Sequence, residues 1–233
     1  MPSTAGNKRQ PEAIIISDTG LSARGKVGGE EIDAVTFENG QAEPMNREGM
    51  TKYVSAEMCH TINDHWGYGS GDVNYKSPRE LIESLCNCRK VGANYLLNIG
   101  PEGQGKVNSY QKELLKMVGR WMDVFGEAVY DGRPYCTQKD GKSFVLKSVD
   151  GKHLYIFAYD LGTAGDENVI VDGKPVGNYA FEVVADKISS IAWMDNGEPL
   201  SFTQGKDMLW VNMTKYPYGT SYVVRVAKAE IAE

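Results

Sequence analysis

Cysteine and histidine are scarce in this chain, and neither forms a ligand cluster. There are four cysteines and three histidines in 233 residues. Four thiols are too few for a disulfide scaffold. Cys86 and Cys88 lie two positions apart on a predicted helix, which points them to different faces. All four cysteines are expected as free thiols in or near a core. No Cys/His group has zinc spacing, so no metal site is expected. Basic excess is also missing. Lys and Arg total 25 against 31 Asp and Glu, giving a net charge of −6 and a pI near 5.2. Such a surface repels phosphate backbones, so nucleic acid is excluded as an expected partner. No apolar run approaches the ~20 residues that span a bilayer, so no membrane helix is expected. The opening MPSTAGNKRQPE has no apolar segment behind its basic residues and does not read as a signal peptide. The compartment is left open.

What is present suffices for a core. Hydrophobic residues make up 41% of the chain, which suggests one or two domains. Residues 1–12 read as a disordered lead-in. Residues 13–17, Ala-Ile-Ile-Ile-Ser, read as a strand buried on both faces, ending in the turn Ser17-Asp18-Thr19-Gly20. Residues 20–50 are rich in Gly, Glu, Asn and Pro and read as one long loop. Residues 52–62 carry a weaker strand signal. Ser77-Pro78-Arg79-Glu80 is a helix start, with Ser as cap, Pro at the first helical position and Glu closing a capping box. Leu81, Ile82, Leu85, Cys88 and Val91 would form its apolar face, and Gly92 its stop. Residues 95–99 read as the next buried strand. A second helix opens at Ser109, carries Leu114, Leu115, Val118, Trp121, Met122 and Phe125 on one stripe, and is expected to end at Gly126.

From Pro134 onward the pattern changes to short alternating strands over 143–147, 153–159, 168–171, 179–184, 188–194, 209–213 and 221–226. Turn pairs such as Asp140-Gly141, Asp172-Gly173 and Asn196-Gly197 separate them. About seven strands at this spacing imply an antiparallel β-sandwich, with the boundary near residues 132–135. The fold class is therefore α/β followed by all-β.

Several motifs carry possible chemistry. Gly100-Pro101-Glu102-Gly103-Gln104-Gly105-Lys106 matches the first seven positions of a phosphate-binding loop. Val107 replaces the magnesium-binding hydroxyl, and Pro101 removes an amide donor, so a Gly-rich turn is the better reading. Glu30 and Glu31 lie in the long loop. A carboxylic acid there is either solvated or, if its pKa is raised, a general acid. Trp66-Gly67-Tyr68 sits in a loop between strand and helix. Its rings could anchor the core or stack on a sugar ring or methyl group. Glu57, His60 and Glu127 read as structural groups. Asn212-Met213-Thr214 is a glycosylation sequon, meaningful only in a secreted eukaryotic setting.

In combination these pieces resemble family 29 glycoside hydrolases, the α-L-fucosidases. Glu57-Met58-Cys59, then Thr61-Ile62 and His65-Trp66-Gly67-Tyr68, is similar to the family's Glu-x-Cys…Trp-Gly-Tyr segment. Ser77-Pro78-x-Glu80-Leu81-Ile82 resembles the helix that follows. Gly92-Ala93-Asn94-Tyr95-Leu96-Leu97-Asn98-Ile99-Gly100-Pro101 is close to Gly-Gly-Asn-Tyr-Leu-Leu-Asn-Ile-Gly-Pro. Gly126-Glu127-Ala128-Val129-Tyr130 resembles the Gly-Glu-Ala-Ile-Tyr that closes the family's barrel. The resemblance implies a (β/α)8 barrel, retaining release of L-fucose from glycans, no cofactor and no metal. It places the acid/base at Glu30 or Glu31, and sugar contacts at Trp66, Tyr68 and Glu57. The family's Asp nucleophile and fucose-binding histidines lie in an upstream segment that this sequence does not show. Thr19 stands where many relatives carry Arg, and Ala56 where many carry Trp. The expectation is residues 13–133 as the C-terminal half of a barrel and 134–233 as the sandwich. Partners implied are a fucosylated glycan, and either self-association or a missing N-terminal half. The alternative is a carbohydrate-binding protein without catalysis.

Overall fold

The computed structural model describes residues 10–18, 26–163 and 176–232. The chain divides into two compact units, Met1–Leu115 and Lys116–Glu233.

The first unit is built on a four-stranded parallel sheet in the order β1-β2-β3-β4: β1 Ile16–Asp18, β2 Ala34–Glu38, β3 Ser55–Thr61 and β4 Ala93–Asn98. Helix α1, Pro78–Lys90, joins β3 to β4. Two expectations are corrected here. Residues 20–50 are not one loop, because β2 runs through them. Its Ala-Val-Thr-Phe-Glu alternates, with Val35 and Phe37 buried and Thr36 and Glu38 on the other face. The first strand is also not buried on both faces. It forms one edge of the sheet, with Ile14 and Ile16 exposed.

The start of α1 follows its sequence. Ser77 accepts from the Glu80 amide, Glu80 accepts from the Ser77 amide at 2.7 Å, and Pro78 opens the helix. Gly92, in left-handed conformation, follows its end. Leu81, Ile82, Cys86 and Cys88 are its buried residues, so both thiols are inside although two positions apart. Val35, Phe37, Ala56, Met58, Cys88 and Ala93 share one core. In it the Cys88 thiol touches Met58 Sδ at 3.5 Å. Burial pushes its pKa up to about 12, so it stays protonated and inert.

On this same side His60 is half-buried, with Nδ1 3.3 Å from the Tyr95 hydroxyl. Burial first, then the Lys76 charge, lowers its pKa to about 4. A folded-state value below the unfolded one favours the neutral ring. Its stabilisation is therefore full above about pH 6.5 and lost as pH falls through about 4. His60→Gln should flatten the acid side of the stability profile of the first unit between those limits. The effect is about 1 kcal/mol, discounted for partial exposure. Urea midpoints at pH 7 and 4.5 check it; equal slopes for both proteins would refute it.

Helix α2, Ser109–Asp131, begins in the first unit and ends in the second. It opens at Ser109 as expected, with Asn108 as its cap, the Asn108 Oδ1 accepting from the Tyr110 amide at 2.8 Å. It does not end at Gly126, which is buried inside it. The break comes at Gly132, where a Cβ would stand 2.4 Å from the Ala128 carbonyl oxygen.

The second unit holds two antiparallel sheets. One has the order β5-β6-β7-β12-β9: β5 Gly132–Thr137, β6 Phe144–Ser148, β7 His153–Ala158, β9 Ile188–Trp193 and β12 Arg225–Ile231. The other has the order β10-β11-β8: β8 Asn178–Glu182, β10 Phe202–Gln204 and β11 Met208–Asn212. Val145, Ile156, Trp193 and Ala227 of the first share a core with Phe181, Leu209 and Val211 of the second. Strands β5 and β10 had no separate expectation. The strand expected over 221–226 is displaced to Arg225–Ile231. The one expected over 168–171 lies outside the described residues.

Candidate active site

The two faces of the parallel sheet differ. Alternation puts Val35, Phe37, Ala56 and Met58 on the core side. Asp18, Thr36, Glu57 and Asn94 lie in one row across the opposite face. Glu38, Cys59 and Leu96 form the next row toward the carboxyl ends. This face is polar and partly open, and Leu96 is 42% exposed on it. The Cys59 pKa is raised, first by partial burial and then by the charges of Glu57, Glu38 and Asp18. Three carboxylates thus act on one point of the sheet. Glu57 also accepts from Asn94 Nδ2 at 2.8 Å, across to β4.

A cavity of about 370 Å³ opens at the carboxyl ends of β2 and β3, lined by Thr36, Glu38, Cys59 and Trp66. Thr36 Oγ1 is buried there without a hydrogen-bond partner among the described residues. Glu38 ends β2 and is exposed. The next residue, Asn39, adopts φ +48°, a left-handed turn that Asn tolerates. Its amide donates to the Cys59 carbonyl at 2.8 Å, and its Oδ1 accepts from the Thr61 amide at 3.4 Å. Those bonds fix the backbone just after Glu38.

The Trp66 loop is held by the end of β4. Asn98 Nδ2 donates to the Trp66 carbonyl at 2.7 Å, and the Ile62 amide donates to the Asn98 carbonyl at 3.0 Å. The Gly67-Tyr68 peptide rests directly on Gly100. Trp66 and Tyr68 remain 38% and 48% exposed. Rings held by their backbones but left open offer contact area at little entropic cost.

The sequence-predicted residues are distributed unevenly. Trp66 lines the cavity, with Tyr68 in the same loop. Glu57 lies on the cavity face of β3. Glu30 and Glu31 precede the amino end of β2, in a turn closed by the Ile32 amide donating to the Gly29 carbonyl at 3.2 Å. Neither is among the described residues that line the cavity. Glu38 carried no sequence expectation. Its signal, an acid closing an alternating apolar segment, was present in Ala-Val-Thr-Phe-Glu. Asp33 is tied into the scaffold. It accepts from the Ile15 amide at 2.8 Å and pairs with Lys52 at 2.5 Å, and the Lys52 bond does most to hold its pKa below the usual carboxylate range. The Gly100–Lys106 loop closes on itself: the Glu102 amide donates to Lys106 and the Gly105 amide to Glu102. Those two amides are thereby engaged within the turn, which weakens the phosphate reading further.

Parallel strands joined by crossovers define an α/β protein, and the polar residues gathered at their carboxyl ends make that end the candidate site. The chain belongs to the alpha-L-fucosidase family, whose model matches residues 3–127. It is 35% identical over 94 residues to the tissue alpha-L-fucosidase of Rattus norvegicus, covering 39% of this chain and 20% of that relative. It is 28% identical over 130 residues to the alpha-L-fucosidase of Dictyostelium discoideum, covering 54% of this chain and 27% of the relative. Its fold is similar to alpha-L-fucosidase isoenzyme 1 of Paenibacillus thiaminolyticus, with TM-score 0.72 and 21% identity over 97% of this chain and 52% of that one. It is also similar to the Thermotoga maritima alpha-fucosidase solved in complex with fucose, with TM-score 0.64 and 20% identity over 96% and 46%. The chain spans about a quarter of the length of these curated relatives in sequence, and about half of the solved chains in fold.

Proposed function

We propose that the chain supplies the proton-donor half of an α-L-fucosidase active site, and that Glu38 is the acid/base. The supporting observation is the cavity that joins Glu38 to Trp66 at the carboxyl ends of β2 and β3. A carboxyl group there can protonate a leaving oxygen and later activate water, while the indole covers the apolar side of the sugar. In this reading residues 13–133 are the C-terminal half of a (β/α)8 barrel, and 134–233 a β-sandwich. Retaining chemistry needs a second carboxyl group about 5 to 5.5 Å away. Asp18, on the same sheet face, is one source. A complementary N-terminal half is the other, and it would also cover the open face and the outer strands β1 and β4. Self-association through those edges is the competing way to cover them.

The test is hydrolysis of an aryl α-L-fucoside by the 233-residue chain, alone and with the N-terminal half of a relative added. Little turnover alone and a large gain on mixing are expected. Glu38→Gln should lower the restored rate by about 10²–10⁴-fold, most for poor leaving groups. Glu30→Gln and Glu31→Gln are the decisive comparison. If either carries the loss instead, the acid lies in the β1–β2 connection and Glu38 is not the donor.

A further inference from the structure

We propose that His65, held by Asp72, is a substrate-contacting residue for the sugar that leaves, so that the Trp66 loop reads both sides of the scissile bond. The proposal rests on the α-L-fucosidase reading above.

The geometry is that of a positioned imidazole. His65 Nδ1 lies 2.7 Å from Asp72 Oδ2, and the His65 backbone amide donates to the same oxygen at 3.0 Å. The Asp72 side chain is 1% exposed, whereas that of His65 is 70% exposed. A ring this open ordinarily samples several rotamers and loses entropy when ordered. Here one buried carboxylate oxygen holds the ring at Nδ1 and the backbone at the amide. Asp72 is itself set in a turn, its amide donating to the Gly69 carbonyl at 3.1 Å. Gly69 fits beneath both residues: a Cβ there would meet Asp72 Cβ at 3.3 Å and His65 Nδ1 at 3.9 Å.

The carboxylate selects the tautomer. An acceptor at Nδ1 places the proton on that nitrogen, so the neutral ring offers Nε2 as an acceptor on the opposite edge. An acceptor on a rigid, exposed ring suits a sugar hydroxyl. The position follows from the chain: His65 is bonded to Trp66, which lines the cavity with Glu38. A proton donor has the departing oxygen next to it, and in this proposal His65, the residue bonded to Trp66, meets the leaving sugar rather than the fucose. Of the other histidines, His60 is half-buried against Tyr95 and His153 pairs with Glu230 at 2.9 Å in the second unit.

Imidazole ¹H–¹⁵N spectra of the 233-residue chain test the proposal, because three histidines give three resolvable rings. The probes are free L-fucose and a thio-linked fucosyl disaccharide that resists hydrolysis. Free fucose should shift the Trp66 indole signal and leave His65 in place. The disaccharide should shift both, with His60 and His153 unchanged and His65 in the Nδ1–H form. His65→Ala should weaken disaccharide binding about five-fold and leave fucose affinity unchanged. If the disaccharide moves Trp66 but not His65, the proposal is overturned and the pocket reading survives. If neither sugar moves Trp66, the pocket reading falls and takes this proposal with it. Equal loss of both affinities in His65→Ala would make His65 a structural support of the loop, which also overturns it.

Discussion

Arg225→Met should cost the second unit about 3–5 kcal/mol, lowering its melting temperature by more than about 10 °C. The Arg225 side chain is fully buried. Its Nε and Nη2 donate to the two oxygens of Asp195 at 2.9 and 3.1 Å. Nη1 donates to the Lys215 carbonyl at 2.9 Å, and the guanidinium lies 4.1 Å from the Trp193 ring centre. Removing the cation leaves Asp195, 4% exposed, as a buried charge without its fork of donors. Lysine is no rescue, since a point charge does not reproduce the planar bidentate contact. Arg225→Met combined with Asp195→Leu should recover much of the loss, because replacing a whole buried ion pair by apolar groups is often neutral. Thermal and urea denaturation of the two variants check this. A loss below about 1 kcal/mol in the single variant would show that Asp195 finds water or another donor. The network also accounts for Thr214, whose hydroxyl accepts from the Trp193 indole at 2.8 Å. The threonine of the Asn212-Met213-Thr214 sequon thus has a structural role of its own.

How much was legible in the sequence depended on whether the signal was local. The capping box of α1, its glycine stop and the positions of β6, β7, β9 and β11 are set by neighbouring residues and lie within a residue of where expected, though β6 and β7 are buried along nearly their whole length instead of alternating. The misses came where local chemistry was overridden. β2 is five residues flanked by Gly, Asn and Pro, so composition hid a clear period-two pattern, and its terminal acid was hidden with it. Ile14, Ile15 and Ile16 look like a doubly buried strand, but only Ile16 lies in β1, and Ile14 and Ile16 are exposed. Gly126 looks like a helix stop. Packing carries the helix past it, because the residues beyond it, Ala128 and Val129, are buried and hold the last turn in place. The Trp66 loop was legible as a motif. The reason it accompanies Asn-Ile-Gly-Pro was not, since the contact joins residues 32 positions apart.

That contact supports the second large effect. On the α-L-fucosidase site proposed above, Gly100→Ala should lower fucose affinity by at least about ten-fold and cost about 1–3 kcal/mol of stability. A methyl group at this position would meet the Gly67 carbonyl oxygen at 2.4 Å, its carbon at 2.5 Å and the Tyr68 nitrogen at 2.8 Å. All three are backbone atoms, so no rotamer change relieves the clash. The loop must lift off the end of β4, which breaks the Asn98 bond to the Trp66 carbonyl and carries the indole away from Glu38. Gly103→Ala is the control, since a Cβ there meets nothing within 4 Å. Titration with fucose followed by the Trp66 indole ¹H–¹⁵N signal, beside thermal denaturation, separates the two losses. Asn98→Ala should reproduce the affinity loss more mildly, because it removes the bond without the clash. If Gly100→Ala kept full affinity while losing stability, the indole would be positioned by its own loop. The pairing of the two motifs would then be a packing requirement of the sheet and no part of sugar recognition.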